Sequence, residues 1–222
     1  MAAYERNRKA LRPFMRQLLE LVLRFQKGGR LLEIGSGAGI FLELAREKFE
    51  INGLELSRGG VALSERTLGA GVVEKKSLKE AGFPDSYFEA VVMNHVLEHI
   101  LEPHELLADI KRVLKPGGVL VIGSPNFGGG FARWRKDKWP GLRPGEHIWQ
   151  FEPQSLKMLL EKNGFEILAL KEKSSQNLRS VFHFAGNFSV KGFFLRVAGW
   201  LFGIFGRGDN LLVVARKRGV SS

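Results

Sequence analysis

Apolar residues recur at Leu11, Phe14, Leu18, Leu21, Val22 and Phe25, the spacing of an amphipathic helix over residues 4–27, which Gly28 and Gly29 close. The period then changes. Leu31-Leu32-Glu33-Ile34 is a short apolar run entering a glycine turn, Ile40 to Phe49 returns to helical spacing, and Ile51-Asn52-Gly53-Leu54-Glu55-Leu56 is a second strand-like run. Arg58 to Leu68 reads as a helix, Gly71 to Lys76 as a third, weaker strand, and Phe88 to Asn94 as a fourth. Pro103 to Leu114 is a helix with proline in its first turn, and Lys115-Pro116-Gly117-Gly118 announces a fifth strand running to Ser124. Strands alternating with helices at this spacing predict an α/β domain with a parallel, doubly wound sheet.

Two segments interrupt the rhythm. Residues 124–150 are rich in glycine, proline, tryptophan and basic residues and too long for an ordinary connection, so they predict a lid or substrate insertion. A helix at Pro153 to Lys162 and a strand at Gly164 to Leu170 follow. Residues 173–208 form a second insertion whose stretch Gly192 to Gly206 is apolar almost all round, and Asp209 to Arg218 closes the chain as a last strand.

Composition narrows the chemistry. With 222 residues the chain suits one domain, and no cysteine removes disulfides, thiolate metal sites and thiol nucleophiles together. The start is charged rather than a secretory signal, no run reaches the length of a spanning helix, and a cytoplasmic location is expected. The formal charge of +11, from 34 lysines and arginines against 23 acids, favours anionic surroundings without choosing among nucleic acid, lipid headgroups and phosphorylated substrates.

The turn Gly35-Ser36-Gly37-Ala38-Gly39 follows the first strand and opens a helix, a place where backbone can come close to a ligand. A dinucleotide, a phosphate or S-adenosylmethionine suits such a loop. A dinucleotide fingerprint wants glycine at the sixth position, where this chain has Ile40. Glu55, 20 positions after Gly35, is spaced to accept hydrogen bonds from ribose hydroxyls, a role shared by both adenosine cofactor classes.

The order of elements, together with Glu33 to Gly39, Glu55, Phe88 to Val92, Val96-Leu97-Glu98-His99-Ile100 and Arg112 to Gly118, resembles the class I S-adenosylmethionine-dependent methyltransferases, in particular the small-molecule and quinone-pathway group, over residues 30–217. The resemblance implies a Rossmann-like, seven-stranded, mostly parallel sheet with helices on both faces and the last strand antiparallel. It makes residues 1–222 a single methyltransferase domain with a leading helix at 1–29, a lid at 124–150 and an apolar insertion at 173–208. It implies S-adenosylmethionine binding by Glu33, Gly35, Ser36, Gly37, Gly39, Glu55, Leu56, Ser77, Leu78 and Asn94, with Glu33 orienting the methionine portion and Asn94 bordering the methyl group. Family members often carry an acid near the end of the third strand; counting back from Phe88 puts Ser77 there, so backbone groups of Ser77 and Leu78 are left to meet the adenine.

Methyl transfer from a sulfonium is a direct displacement dominated by alignment, and a general base is needed only when the acceptor carries a proton. Of the five histidines, His147 and His95 are the expected catalytic residues: His147 ends the first insertion, and His95 follows the fourth strand. Glu98 and His99 are read as fixing the loop, His104 as helix surface, and His183 as uninformative. His95-x-x-Glu98-His99 with His147 downstream resembles the Glu-x-x-Glu-His plus His arrangement of some metal-dependent O-methyltransferases, where a divalent ion could lower the pKa of a substrate hydroxyl; His95 replaces the first acid and the Leu-Glu-His triplet also recurs in metal-free members, so a divalent metal is the lesser alternative and no metal ligand is assigned.

The insertions describe the acceptor. Phe127, Phe131, Trp134, Trp139 and Trp149 interleave with Arg133, Arg135, Lys136, Lys138 and Arg143, which suits an aromatic pocket with an anion clamp, a stack of unpaired bases, or a lid packed on the domain. Residues 188–206 suit peripheral membrane contact, a lipophilic tunnel or a homodimer interface. The leading expectation is methylation of a small-molecule or lipid-linked acceptor, with oxygen the favoured atom. RNA methylation and a non-catalytic S-adenosylmethionine-binding protein are the alternatives.

Overall fold

A computed structural model of the protein describes residues 2–173, 201 and 208–218. The leading helix α1 spans Ala2–Leu23 and ends before Gly28 and Gly29, as its periodicity predicts. The strands are β1 (Arg30–Ile34), β2 (Glu50–Leu54), β3 (Val73–Glu74), β4 (Phe88–Asn94), β5 (Leu114–Pro125), β6 (Phe165–Lys173) and β7 (Asn210–Lys217). Between them lie α2 (Ile40–Ala45), α3 (Arg58–Leu68), α4 (Leu78–Ala81), α5 (Pro103–Val113), α6 (Gly130–Arg135) and α7 (Pro153–Lys162).

The seven strands form one sheet in the order β3-β2-β1-β4-β5-β7-β6. Every pairing is parallel except those of β7, which runs antiparallel to both β5 and β6. Strands buried on both faces explain their near-continuous apolar runs: Ala90 to Met93 and Leu120 to Ile122 are wholly shielded from water. Two cores flank the sheet. One gathers α5 and α7 over Leu32, Met93 and Val213; the other gathers α1 and α2 over Leu31, Val92 and Val214. Leu18 and Val22 seat α1 in the second core, and Arg8 and Arg12 clamp it to Glu43 of α2 at 2.6 and 2.9 Å. Burial pushes the Glu43 carboxyl up, but the two guanidiniums outweigh it and hold the group below the ordinary carboxylate value.

Several boundaries differ from the sequence pattern, each for a local reason. The helix expected over 40–49 stops at Ala45, because Phe49 turns inward as a buried anchor ahead of β2. The strand expected over 118–124 starts at Leu114, which pairs with Phe88, and Lys115 to Gly118 bulge out before pairing resumes at Val119 with Ala90. The first insertion, residues 124–150, carries a short helix, α6, and a 3-10 turn at Lys136–Lys138. Within it Phe131 and Trp139 are buried, and Phe127 meets Trp139 edge-on at 4.9 Å between ring centroids. Of the second insertion, residues 174–200 and 202–207 lie outside the described residues, and with them His183 and the apolar stretch 188–206 apart from residue 201. Among the described residues no helix is long and apolar enough to cross a membrane.

Candidate functional site

Parallel strands bring the carboxyl ends of β1, β2 and β4 to one edge of the sheet, where open α/β folds carry their ligands. The glycine loop leaves β1 there. The amides of Gly35 and Ser36 both donate to the Leu54 carbonyl of β2, at 2.8 and 3.1 Å, which folds the loop back over the sheet. Gly37 has a φ of 52°, and a Cβ added to it would meet nothing within 4 Å, so the residue is glycine for its backbone conformation and leaves an open cradle. Gly39, at φ 72°, is glycine for a second reason: a Cβ there would press on Leu68 of α3.

Glu55 ties this cradle to the end of β2. Its carboxylate accepts from the amide of Gly37 at 2.8 Å and from that of Ser57 at 2.7 Å, so it is held rigidly with lone pairs remaining for a ligand hydroxyl. Beside it Leu56 is 66% exposed, an apolar surface at the mouth of the loop. Beneath the loop Glu33 is buried in the middle of the sheet, between Gly53 of β2 and Val92 of β4. Burial pushes its carboxyl well above the ordinary value, the Glu55 charge adds to this, and a hydrogen bond from the Leu42 backbone opposes it. Three buried oxygens around this edge have no hydrogen-bond partner among the described residues: Glu33 Oε2, Ser36 Oγ and Asn94 Oδ1. Orphaned polar oxygens of this kind are costly unless a ligand or water satisfies them, and all three belong to residues at the end of β1, in the glycine loop or at the end of β4.

Ser77 does something different. Its hydroxyl and amide are both engaged by Glu80 in the capping box that starts α4, and its carbonyl takes the Ala81 amide. Leu78 is buried beside it; the Ser77 amide is committed to Glu80, while its carbonyl keeps a second lone pair.

The end of β4 joins the cradle to a second cavity of about 320 Å³. It is lined by Asn94 and His95, by Ala10, Leu11 and Phe14 of α1, by Phe131, Trp139, Pro140 and Gly141 of the first insertion, and by Pro125, Asp209 and Asn210. His95 adopts φ 56°, a left-handed backbone that a side chain takes only when its surroundings impose it. Its Nδ1 lies 3.1 Å from Oε1 of Glu98, which is wholly buried and whose Oε2 accepts from Ser124 Oγ at 3.3 Å. A donor Nδ1–H leaves Nε2 as the basic nitrogen.

His147 is brought to the other side of Glu98. The Glu98 carbonyl accepts the amides of Ile148 and Trp149, which pins the returning lid, and the ring of His147 meets that of His99 edge-on at 4.7 Å. Both rings turn Nδ1 to a backbone carbonyl, His99 to Glu146 at 2.8 Å and His147 to Gly141 at 2.9 Å. A carboxylate oxygen of Glu98 and one nitrogen of each ring lie within 4.8 Å of one another, a grouping able to hold a cation. Desolvation pushes the His147 pKa down and the Glu98 charge opposes it, with the net direction below the ordinary value. His104, by contrast, is exposed and pairs with Asn163.

Chain periodicity missed the second wall of the pocket. Leu11 and Phe14 were read only as apolar positions of the leading helix, yet both border the cavity, and nothing in Asp209-Asn210 distinguished a cavity lining from an ordinary strand start.

A family of proteins described as "Methyltransferase domain" matches residues 4–170. The chain belongs to the class I S-adenosylmethionine-dependent methyltransferases. It is 31% identical over 102 residues to a phosphatidylethanolamine N-methyltransferase of Cereibacter sphaeroides, covering 43% of this chain and 50% of that protein. It is 26% identical over 182 residues to a ubiquinone biosynthesis O-methyltransferase of Caulobacter vibrioides, covering 72% of this chain and 64% of the relative. The first of these alignments thus spans half of the relative's length. A methyltransferase structure from Archaeoglobus fulgidus superposes with a TM-score of 0.68 at 24% identity, covering 95% of this chain and 94% of that one, which shows the shared fold. The methyl donor of this family, S-adenosylmethionine, carries an ammonium, two ribose hydroxyls and an adenine, and the unpartnered acceptors, held carboxylate and open cradle described above fit such a group.

Proposed function

We propose that this methyltransferase transfers a methyl group to a hydroxyl of a small-molecule or lipid-linked acceptor, with His95 as general base. The observation that carries the reading is the His95–Glu98 pair at the wall of an apolar cavity that adjoins the glycine loop. Glu33, Ser36 and Asn94 hold the methionine portion of the cofactor, Gly35, Gly37 and Gly39 give it room, Glu55 takes the ribose, and Leu56 and Leu78 flank the adenine. When bound, the cofactor supplies an electrophilic methyl on sulfur. His95 Nε2 would accept the hydroxyl proton as the acceptor oxygen takes the methyl group and the methyl–sulfur bond breaks to leave a neutral thioether, and Glu98 would fix the tautomer and stabilise the imidazolium that results. The lid, seated by Trp139, excludes water from the attacking oxygen.

The names of the relatives support this acceptor class, one acting in quinone biosynthesis and one on a phospholipid headgroup. Radiolabelled methyl transfer into lipid, metabolite and RNA fractions tests it. Label in lipid or metabolites is expected; label in RNA alone rejects the acceptor class, and label nowhere favours a cofactor-binding protein without turnover.

A second reading is favoured by the clustering of Glu98, His99 and His147. Two imidazoles and one carboxylate suit a borderline divalent ion, which would lower the pKa of the acceptor hydroxyl, with His147 as ligand rather than base. Exhaustive chelation separates the two: activity that survives leaves proton removal to His95, and activity lost and restored by a divalent ion assigns it to the cluster.

A further inference from the structure

We propose that Asn126 is a positioning residue for the acceptor cavity: it braces the root of the first insertion against the start of β7 and so fixes two of the cavity's walls relative to each other. The proposal rests on the reading that this cavity receives the acceptor, and it adds a residue outside the lining on which acceptor binding depends. Asn126 follows the last residue of β5 and is wholly buried. Its Nδ2 donates to Glu172 Oε2 of β6 and to the Gly208 carbonyl, both at 2.7 Å, and its Oδ1 accepts the Gly128 amide at 3.1 Å. Its backbone repeats the connection. The Asn126 amide donates to the Asp209 carbonyl at 2.9 Å, and the Asn126 carbonyl accepts the Gly129 amide at 3.1 Å. An uncharged amide side chain suits both kinds of neighbour, since Glu172 and Gly208 offer acceptors and Gly128 a donor.

The bonded residues are chain neighbours of the cavity lining. Pro125 precedes Asn126, Asp209 and Asn210 follow Gly208, and Phe131 lies on α6, whose N-cap is Gly129; all of them line the cavity. The crossing is tight. A Cβ added to Gly129 would lie 2.5 Å from the Gly208 carbonyl oxygen, and one added to Gly208 would collide with the backbone of Lys173. Glycine at both positions lets these backbones touch, and Asn126 supplies the buried hydrogen bonds that hold them in one arrangement. Asn94 and His95, at the reacting end of the proposed site, take none of these bonds, so the brace acts on acceptor binding rather than on the displacement itself.

The test joins hydrogen exchange of the full chain to methyl transfer into the lipid or metabolite extract that the parent labels. In Asn126→Ala the amides of Gly128, Gly129 and Arg133 should exchange about tenfold faster than in the parent, while those of β1 and the glycine loop keep the parent's rates. The amount of extract giving half-maximal rate should rise about tenfold with the maximal rate held within about threefold. Calorimetry should show S-adenosylmethionine affinity within about twofold of the parent's, which establishes a folded cofactor site. Asn126→Asp keeps the shape but turns an acceptor onto Glu172 and Gly208, so it should lose about thirtyfold in half-saturation; adding Glu172→Gln restores a donor and should recover about threefold or more, in half-saturation and in exchange alike. Faster exchange spread evenly over β1 and the first insertion, an unchanged half-saturating amount, or no recovery in the double variant would each overturn the proposal. A parent that transfers no methyl group contradicts only the proposed function, and the exchange pattern with its recovery in the double variant then decides this inference.

Discussion

On the glycine-loop side, Glu33, Gly37 and Glu55 come from one strand-loop-helix-strand unit, and the bonds between them are backbone bonds or carboxylate bonds to backbone. On the cavity side, α1, the end of β4, the lid and the start of β7 contribute side chains from Ala10 to Asn210. The first region is built by local geometry and needs few particular side chains beyond its acids. The second is built by docking, so its shape depends on whether α1 and the lid are seated. A fold of this kind can keep its cofactor loop while the acceptor changes, since the elements that shape the cavity are not those that shape the loop.

The comparison breaks most sharply at His95. His95→Ala is expected to lower kcat by about 10²- to 10⁴-fold while leaving S-adenosylmethionine affinity, measured by calorimetry, unchanged. A parallel loss of cofactor affinity would mean that the two regions are not separable. Glu33→Gln should do the reverse, weakening the cofactor on the order of tenfold or more while the lid stays shut.

Glu33 also carries a pH signature. Its folded-state pKa is raised, so the folded apo protein holds an extra proton; the associated stability is full below the unfolded value and lost as pH rises through the folded value. Thermal unfolding of the apo protein should show that decline. Cofactor affinity should rise across the same window, because the cationic ligand favours the carboxylate. Glu33→Gln should flatten both slopes and, at the upper end of the window, stabilise the apo domain by on the order of 1 kcal/mol.

Smaller effects test the docked walls. Trp139→Ala removes the buried anchor of the lid and should raise KM for the acceptor by about tenfold, leaving unfolding of the sheet nearly unchanged. Glu43→Gln loosens α1 and should cost about 1 kcal/mol near neutral pH. Because the Glu43 pKa is lowered, the stability it confers is present above the unfolded carboxylate value and lost as pH falls through the folded one, so parent and variant should converge in acid. Added salt should shrink the difference, since Arg12 is partly exposed.

Much of this molecule was readable before its structure. The alternation of buried runs and helical spacing predicted the seven-stranded order of elements, because a strand covered on both faces must be apolar at nearly every position. The loop and Glu55 were readable because glycines and a strand-end acid act through backbone positions that chain spacing alone sets. The short α4 was missed, since a four-residue helix has no periodicity to detect, and the role of Ser77 changed once Glu80, three residues on, proved to complete a capping box.

What the sequence by itself determined is the alternation of strands and helices and the glycine turn, both consequences of local pattern, while the seven-stranded sheet and the cofactor followed from its resemblance to a methyltransferase family. Tertiary structure alone decided that Glu98 is buried against His95, that His147 turns toward His99, and that Leu11 and Trp139 line one cavity. These are contacts between segments far apart in the chain or, for His95, a left-handed backbone that its surroundings impose. No spacing encodes them, because their geometry follows from how separately formed elements pack.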